Sequence, residues 1–137
     1  MKSSNAWISL LLVIVAVGMT VVSCGSKDFK PVNLVQGDKC DFCQMTIKNQ
    51  VFASEVVAPG GKIYKFDDFK CLESFLQKPD SPRPEAIFVK DYDTRVWIPY
   101  ESSTIVRTSI VTPNRSGKVA FKDSVRAREF ALKNSPL

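Results

Sequence analysis

The chain has 137 residues, a formal charge of +5, 45% apolar and 24% charged residues, four cysteines and no histidine. The apolar share is enough for one small core, while the missing histidine removes the commonest general base and any metal or haem site that histidine would complete. No glycine-rich phosphate loop and no serine-centred elbow stands in its place, so a non-enzymatic role is expected.

Lys2 followed by an apolar run from Ile8 to Val22, interrupted by Ser9, Gly18 and Thr20, reads as an export signal. The run is shorter than the roughly 20 apolar residues a membrane-spanning helix needs. Val21-Val-Ser-Cys24 resembles a bacterial lipobox, with Val21 where leucine is usual. The expectation is a signal peptide over 1–23, then a lipidated Cys24 with a polar tether to residue 38. A folded domain then follows over 39–137. Acyl chains on Cys24 would hold the protein to a membrane surface at about 0.8 kcal/mol per buried methylene. The expected location is therefore the periplasmic side of a bacterial envelope membrane, with a lipid anchor and no spanning segment.

Within the domain, Val51–Val57 mixes β-branched and aromatic residues as a strand does, Pro59-Gly60-Gly61 signals a turn, and Lys62–Phe66 alternates polar and apolar. Asp67 or Asp68 caps a predicted helix with Phe69, Leu72, Phe75 and Leu76 on one face. The three prolines between Lys78 and Pro84 demand a loop, and Ala86–Val89 forms a further strand. Arg95–Ile98 and Thr104–Val111 read as strands, Pro113–Gly117 as a turn and Lys118–Phe121 as a short strand. A second helix is capped by Asp123, with Ala127, Phe130 and Ala131 inward.

Setting GKIYKFDDFKCLESF (61–75) over GKVAFKDSVRAREF (117–130) with one gap superposes Phe66 on Phe121, Asp68 on Asp123 and Phe75 on Phe130. The fold class expected is α+β. Two repeated strand–strand–helix units of ββαβ-like plan, about 39–91 and 92–137, would share a core that neither could close alone.

Cys40, Cys43 and Cys71 remain once Cys24 is assigned to lipid, an odd number for a disulfide framework. The stretch Cys40-Asp-Phe-Cys-Gln-Met45 lacks the histidine that follows CxxC in c-type haem attachment. A structural zinc site needs four ligands, and three cysteines leave that set incomplete unless a carboxylate joins. A thioredoxin-like dithiol would sit at a helix start after a parallel strand, whereas this CxxC precedes an antiparallel hairpin. A plain Cys40–Cys43 disulfide also stays open. Copper(I) fits best, being a soft cation satisfied by two or three thiolate or thioether donors. Cys43 and Met45, two residues apart, would face the same side of an extended segment. Cys71 lies about 200° from Phe69 and 100° from Leu72 on the helical wheel, as a buried thiol or a third sulfur. For Asp67 and Asp68 the helix cap is the cheaper explanation.

These motifs resemble the NosL family of exported copper-binding lipoproteins. The similarity covers nearly all of the mature chain: CDFCQM (40–45) against CxxCGM, GKIYKFDD (61–68) followed by Cys71-Leu72, Val96-Trp-Ile98, and TPNRSGKVAF (112–121). The resemblance implies two strand–strand–helix units and a copper(I) site on Cys43 and Met45, with Cys40 at the less constant first position. It further implies delivery of copper to nitrous oxide reductase or to its copper-assembly transporter. The chain departs from the family where Gln44 replaces a glycine, and where Pro113-Asn114-Arg115 replaces Pro-Met-Gly. A rival from another class is an exported thiol–disulfide oxidoreductase using Cys40 and Cys43. The basic residues after Asn114 read as a solvated helix face, and nucleic acid is not an expected partner for an exported chain.

Overall fold

The computed structural model describes residues 27–136, so the expected signal peptide and the lipidation position Cys24 lie outside the described residues. Four antiparallel strands form the larger sheet: β1 (Ser54–Ala58), β2 (Lys62–Phe66), β3 (Ala86–Lys90) and β4 (Trp97–Pro99), in the order β2-β1-β3-β4. The β1–β2 turn is a short helical turn over Pro59–Gly61 in which Gly60 and Gly61 take positive φ, a conformation glycine adopts without penalty. Helix α1 (Phe69–Leu76) packs across this sheet and buries Phe69, Cys71, Leu72 and Phe75. Phe75 sits against Tyr64 and Phe66 at centroid distances of 4.7 and 5.0 Å.

The second unit is a hairpin of β5 (Thr104–Arg107) and β6 (Lys118–Phe121) with helix α2 (Ser124–Lys133). The internal repeat is visible in the geometry. Asp68 caps α1 by accepting Lys70 N–H, and Asp123 caps α2 by accepting the N–H groups of Val125 and Arg126. Phe66 meets Phe75 at 5.0 Å, and their counterparts Phe121 and Phe130 meet at 5.1 Å.

The two units share their core, which divides into two clusters that each draw on both units. Register pairs Ile105 with Ala120 and Val106 with Val119, and directly opposed residues share a face. Ile105 and Ala120 face the first unit's cluster around Val56, Phe66, Leu72 and Val89. Val106, Val119 and Phe121 face a second cluster with Ala127, which also takes in Phe52 from the first unit. Past the end of β3, Asp91 bridges in parallel to Ala120 and its side chain accepts Lys122 N–H at 2.9 Å.

Several boundaries move from their expected places. Val51 and Phe52 belong to a short helical turn, Gln50–Phe52, before β1 begins. β4, which the sequence groups with the second unit, pairs with β3 and completes the first sheet. β5 stops at Arg107 because the chain turns away: Thr108 Oγ1 accepts Ile110 N–H and Ser109 N–H donates to Asn134 beyond α2. The freed segment 108–117 becomes a strap over the start of α1. Among the described residues no helix is long and apolar enough to cross a membrane.

Candidate metal centre

The CDFCQM stretch is a tight hairpin. Ile47 N–H donates to Asp38 and Cys40 N–H to Met45, both at 2.8 Å, around a Lys39–Thr46 bridge. Inside it Gln44 N–H returns to the Cys40 carbonyl at 2.8 Å, with Gln44 at φ 63°. The tip of this turn is tied to the edge of β2: Asp41 N–H donates to Lys65, and Lys65 N–H donates back to the Asp41 carboxylate at 2.6 Å. Lys65 also pairs with Asp38 at 2.8 Å, and the Lys78 ammonium lies over the Phe42 ring at 4.8 Å. Thus anchored, the turn buries Cys40 completely and leaves Cys43 half-buried.

Beneath it lies the β2–α1 junction. Asp68, in extended conformation, turns its carboxylate to the helix start and to the strap: Lys70 N–H at 2.8 Å and Asn114 N–H at 2.9 Å. Burial pushes its pKa up, but hydrogen bonds from Ser116, Thr112, Lys70 and Asn114 outweigh that and hold it below the usual 3.8. Asp67, the residue before it, turns its carboxylate toward Cys43. Its two carboxylate oxygens lie 3.8 and 3.9 Å from Cys43 Sγ. Cys71 follows on the first turn of α1, 2% exposed.

One ligand atom each from Cys40, Cys43, Asp67 and Cys71 lies within 4.8 Å of all the others. The strap supplies a fifth participant. Asn114 Nδ2 donates to both Asp67 oxygens at 2.9 and 3.0 Å and lies 3.8 Å from Cys43 Sγ. Burial pushes the Cys40 thiol up to about 11, against the pull of N–H donors from Cys43, Asp67 and Phe42. Burial raises Cys71 further, reinforced by the negative fields of Cys40 and Asp67.

The structure thus brings Cys40, Cys43 and Cys71 together. Met45, 48% exposed, stands at the rim of an open cleft of about 510 Å³, also lined by Lys39, Lys48, Pro113 and Asp67. Asp67 borders both cleft and cluster. Sequence reasoning gave both aspartates to helix capping, and only Asp68 caps. The available signal was that a single helix start needs one capping carboxylate, which leaves the other spare. Asn114 registered in the sequence only as a missing methionine, because nothing local tells that the strap folds back onto residue 67.

The NosL family matches residues 31–135. The chain belongs to the NosL family. Its fold is similar to the crystal structure of the copper chaperone NosL from Shewanella denitrificans, with a TM-score of 0.66 and 16% identity over 79% of this chain and 90% of that one. At that identity the likeness speaks for the fold, and it extends through both interlocked units. Comparison with curated proteins finds no match.

Proposed function

We propose that the protein is a non-enzymatic carrier that binds copper(I) as cargo and releases it for maturation of nitrous oxide reductase, to the enzyme or to the transporter that assembles its copper. The observation that carries this reading is the convergence of Cys40, Cys43 and Cys71 in a NosL-family chain. Soft thiolates suit copper(I), and two or three suffice. Met45 adds a thioether at the open rim, where a neutral donor needs no deprotonation and resists the oxidation that threatens thiols. A carrier must also let its cargo go. Met45 and Asp67 line the cleft and Cys43 beside Asp67 is only half-buried, so a partner's donor can approach from that side while the buried Cys40 and Cys71 hold the ion from within.

The dithiol rival fares worse on electrostatics. The first cysteine of a redox-active CxxC needs a lowered pKa, and burial raises Cys40 instead. The lipid on Cys24, facing the periplasmic side of a membrane, belongs to the same proposal and would confine the carrier to a membrane surface.

The test is anaerobic copper(I) titration of the reduced protein against a competing chelator. One ion is expected per chain, and binding should weaken at least tenfold, about 1.4 kcal/mol, in Cys43→Ser and in Met45→Leu. Affinity no better than that of the urea-unfolded chain would end the carrier reading. Met45→Leu binding as tightly as the parent would remove the thioether from it.

A further inference from the structure

Two concavities adjoin on the face that carries Met45. The cleft already described has Lys39 and Lys48 in its walls, and a second, of about 270 Å³, is lined by Lys48, Asn49, Lys90 and Arg95. Lys48 and Asn49 belong to both, so the two run together as one groove. Four cations border it, and among the described residues no carboxylate forms an ion pair with any of them. Asp67, on the wall of the first cleft, is 3% exposed and bonded to Asn114.

The backbone fixes where these charges stand. Lys39 lies opposite Thr46 at the base of the hairpin, and Lys48 follows buried Ile47, whose N–H is pinned to Asp38. Arg95, at φ 61°, sits in a turn closed by its own N–H on the Asp91 carbonyl at 2.8 Å and by Thr94 N–H on the Asp91 carboxylate at 2.9 Å. Lys90 ends β3 with its ammonium 4.3 Å over the Trp97 ring. Burial pulls that ammonium below its ordinary value, and the field of Glu55 opposes the pull. Glu55 is itself buried and engaged by Val32 N–H. A half-buried ammonium without an ion-pair partner gains from any anion brought to it.

We infer that this groove is the docking site for an acidic segment of the protein that receives the cargo, with carboxylates of that segment meeting Lys48, Lys90 and Arg95 beside Met45. The inference rests on the carrier function proposed above and adds to it the chemistry by which a recipient is recognised. Charge complementarity is its basis: cations of one sign around a concavity focus the field, draw in an acidic partner and set its register. The shape favours a protein segment over a lipid surface. A membrane is flat and is gripped by protruding apolar side chains beside the cations. Here Lys48, Lys90 and Arg95 surround a hollow, and a chain carrying aspartate and glutamate can follow it past Lys48 into the cleft at Met45.

The probe is a short fluorescein-labelled peptide rich in aspartate and glutamate, with a lysine-substituted counterpart as control, titrated by anisotropy onto the reduced full chain in neutral detergent micelles. Saturable binding of the acidic peptide alone is expected, weakening as salt is raised. Lys48→Glu/Arg95→Glu, on two exposed side chains, should weaken it at least about tenfold. Arg128→Glu/Lys133→Glu makes the same change in net charge on exposed positions of α2 and should cost less than about threefold. Circular dichroism checks each fold, and Lys48→Gln, expected to lose about threefold, serves should the double variant not fold. Equal losses in the two double variants would overturn the inference, by reducing the effect to net charge. So would equal binding of the acidic and lysine-substituted peptides. Displacement of the acidic peptide when phosphatidylglycerol is added to the micelles would give the groove to a membrane surface instead, and overturn it too. Copper(I) titration of the same samples separates the two readings. Tight copper(I) binding without peptide binding refutes the groove and leaves the carrier intact, whereas peptide binding without copper(I) binding removes the carrier and leaves the groove a site for acidic segments.

Discussion

Two adjacent aspartates divide the labour at the β2–α1 junction, and their environments dictate how. Asp68 is wholly buried yet kept ionised by donors from α1 and the strap. Asp68→Ala should therefore cost more than an ordinary helix cap, about 2–4 kcal/mol in urea denaturation, because it also orphans Asn114 N–H. A loss below about 1 kcal/mol would mean the strap does not lean on it. The thiols set a pH dependence at the other end of the scale. Below the ordinary thiol value of 9.0, Cys40 is protonated in both folded and unfolded chains and contributes no slope. Between 9.0 and about 11 the unfolded chain ionises first, so the metal-free protein should lose stability as pH rises. Cys71, shifted in the same direction, extends that loss. Thermal melts of the reduced metal-free protein at pH 8 and pH 10 would check this, and a Cys40→Ser variant should show a shallower decline.

The hairpin–helix unit was the most legible feature, because its signals are local. Glycine pairs at the β1–β2 turn, alternation in Lys62–Phe66 and a capping aspartate each act within a few residues. The repeat was legible for the same reason, and it shows why only one half holds a site. In the register that places Phe121 on Phe66, the counterparts of Asp67 and Cys71 are Lys122 and Arg126. There Arg126 pairs with Asp93 and Glu129 at 3.1 and 2.7 Å, so a surface ion pair stands where the first unit carries sulfur. What sequence could not reveal was non-local. The partner of β4 and the path of the strap depend on contacts such as Asn114 to Asp67, which span 47 positions. The strap in turn depends on its hinge. Gly117 has φ +60°, and a Cβ there would lie 2.9 Å from the Thr108 carbonyl oxygen. Gly117→Ala should destabilise by about 1–3 kcal/mol and weaken metal binding with it, through the displaced Asn114. Weakened stability with unchanged metal affinity would uncouple strap from site.

Across the whole molecule the two hydrophobic clusters exchange residues, Ala120 into the first and Phe52 into the second, and Asp91 ties β3 to β6. Neither unit can open without exposing the other's apolar surface, so unfolding should be one cooperative event. Trp97 fluorescence and far-ultraviolet circular dichroism should then share a single urea midpoint in protein lacking the first 25 residues. Two separated midpoints would mean the units stand alone. Truncating Phe121 should lower that shared midpoint, at a cost of about 3–5 kcal/mol.

Glu55 gives the N-terminal arm a fixed point. It lies fully buried on β1 and grips Val32 N–H with both carboxylate oxygens, at 3.1 and 3.2 Å. A lipid on Cys24 would leave eight residue steps before that clasp. Extended chain spans at most about 3.3–3.6 Å per step, so the leash is no longer than roughly 29 Å. The protein would search for its recipient in two dimensions, skimming one membrane face, and only an acceptor whose docking surface hangs within that thin layer could be served.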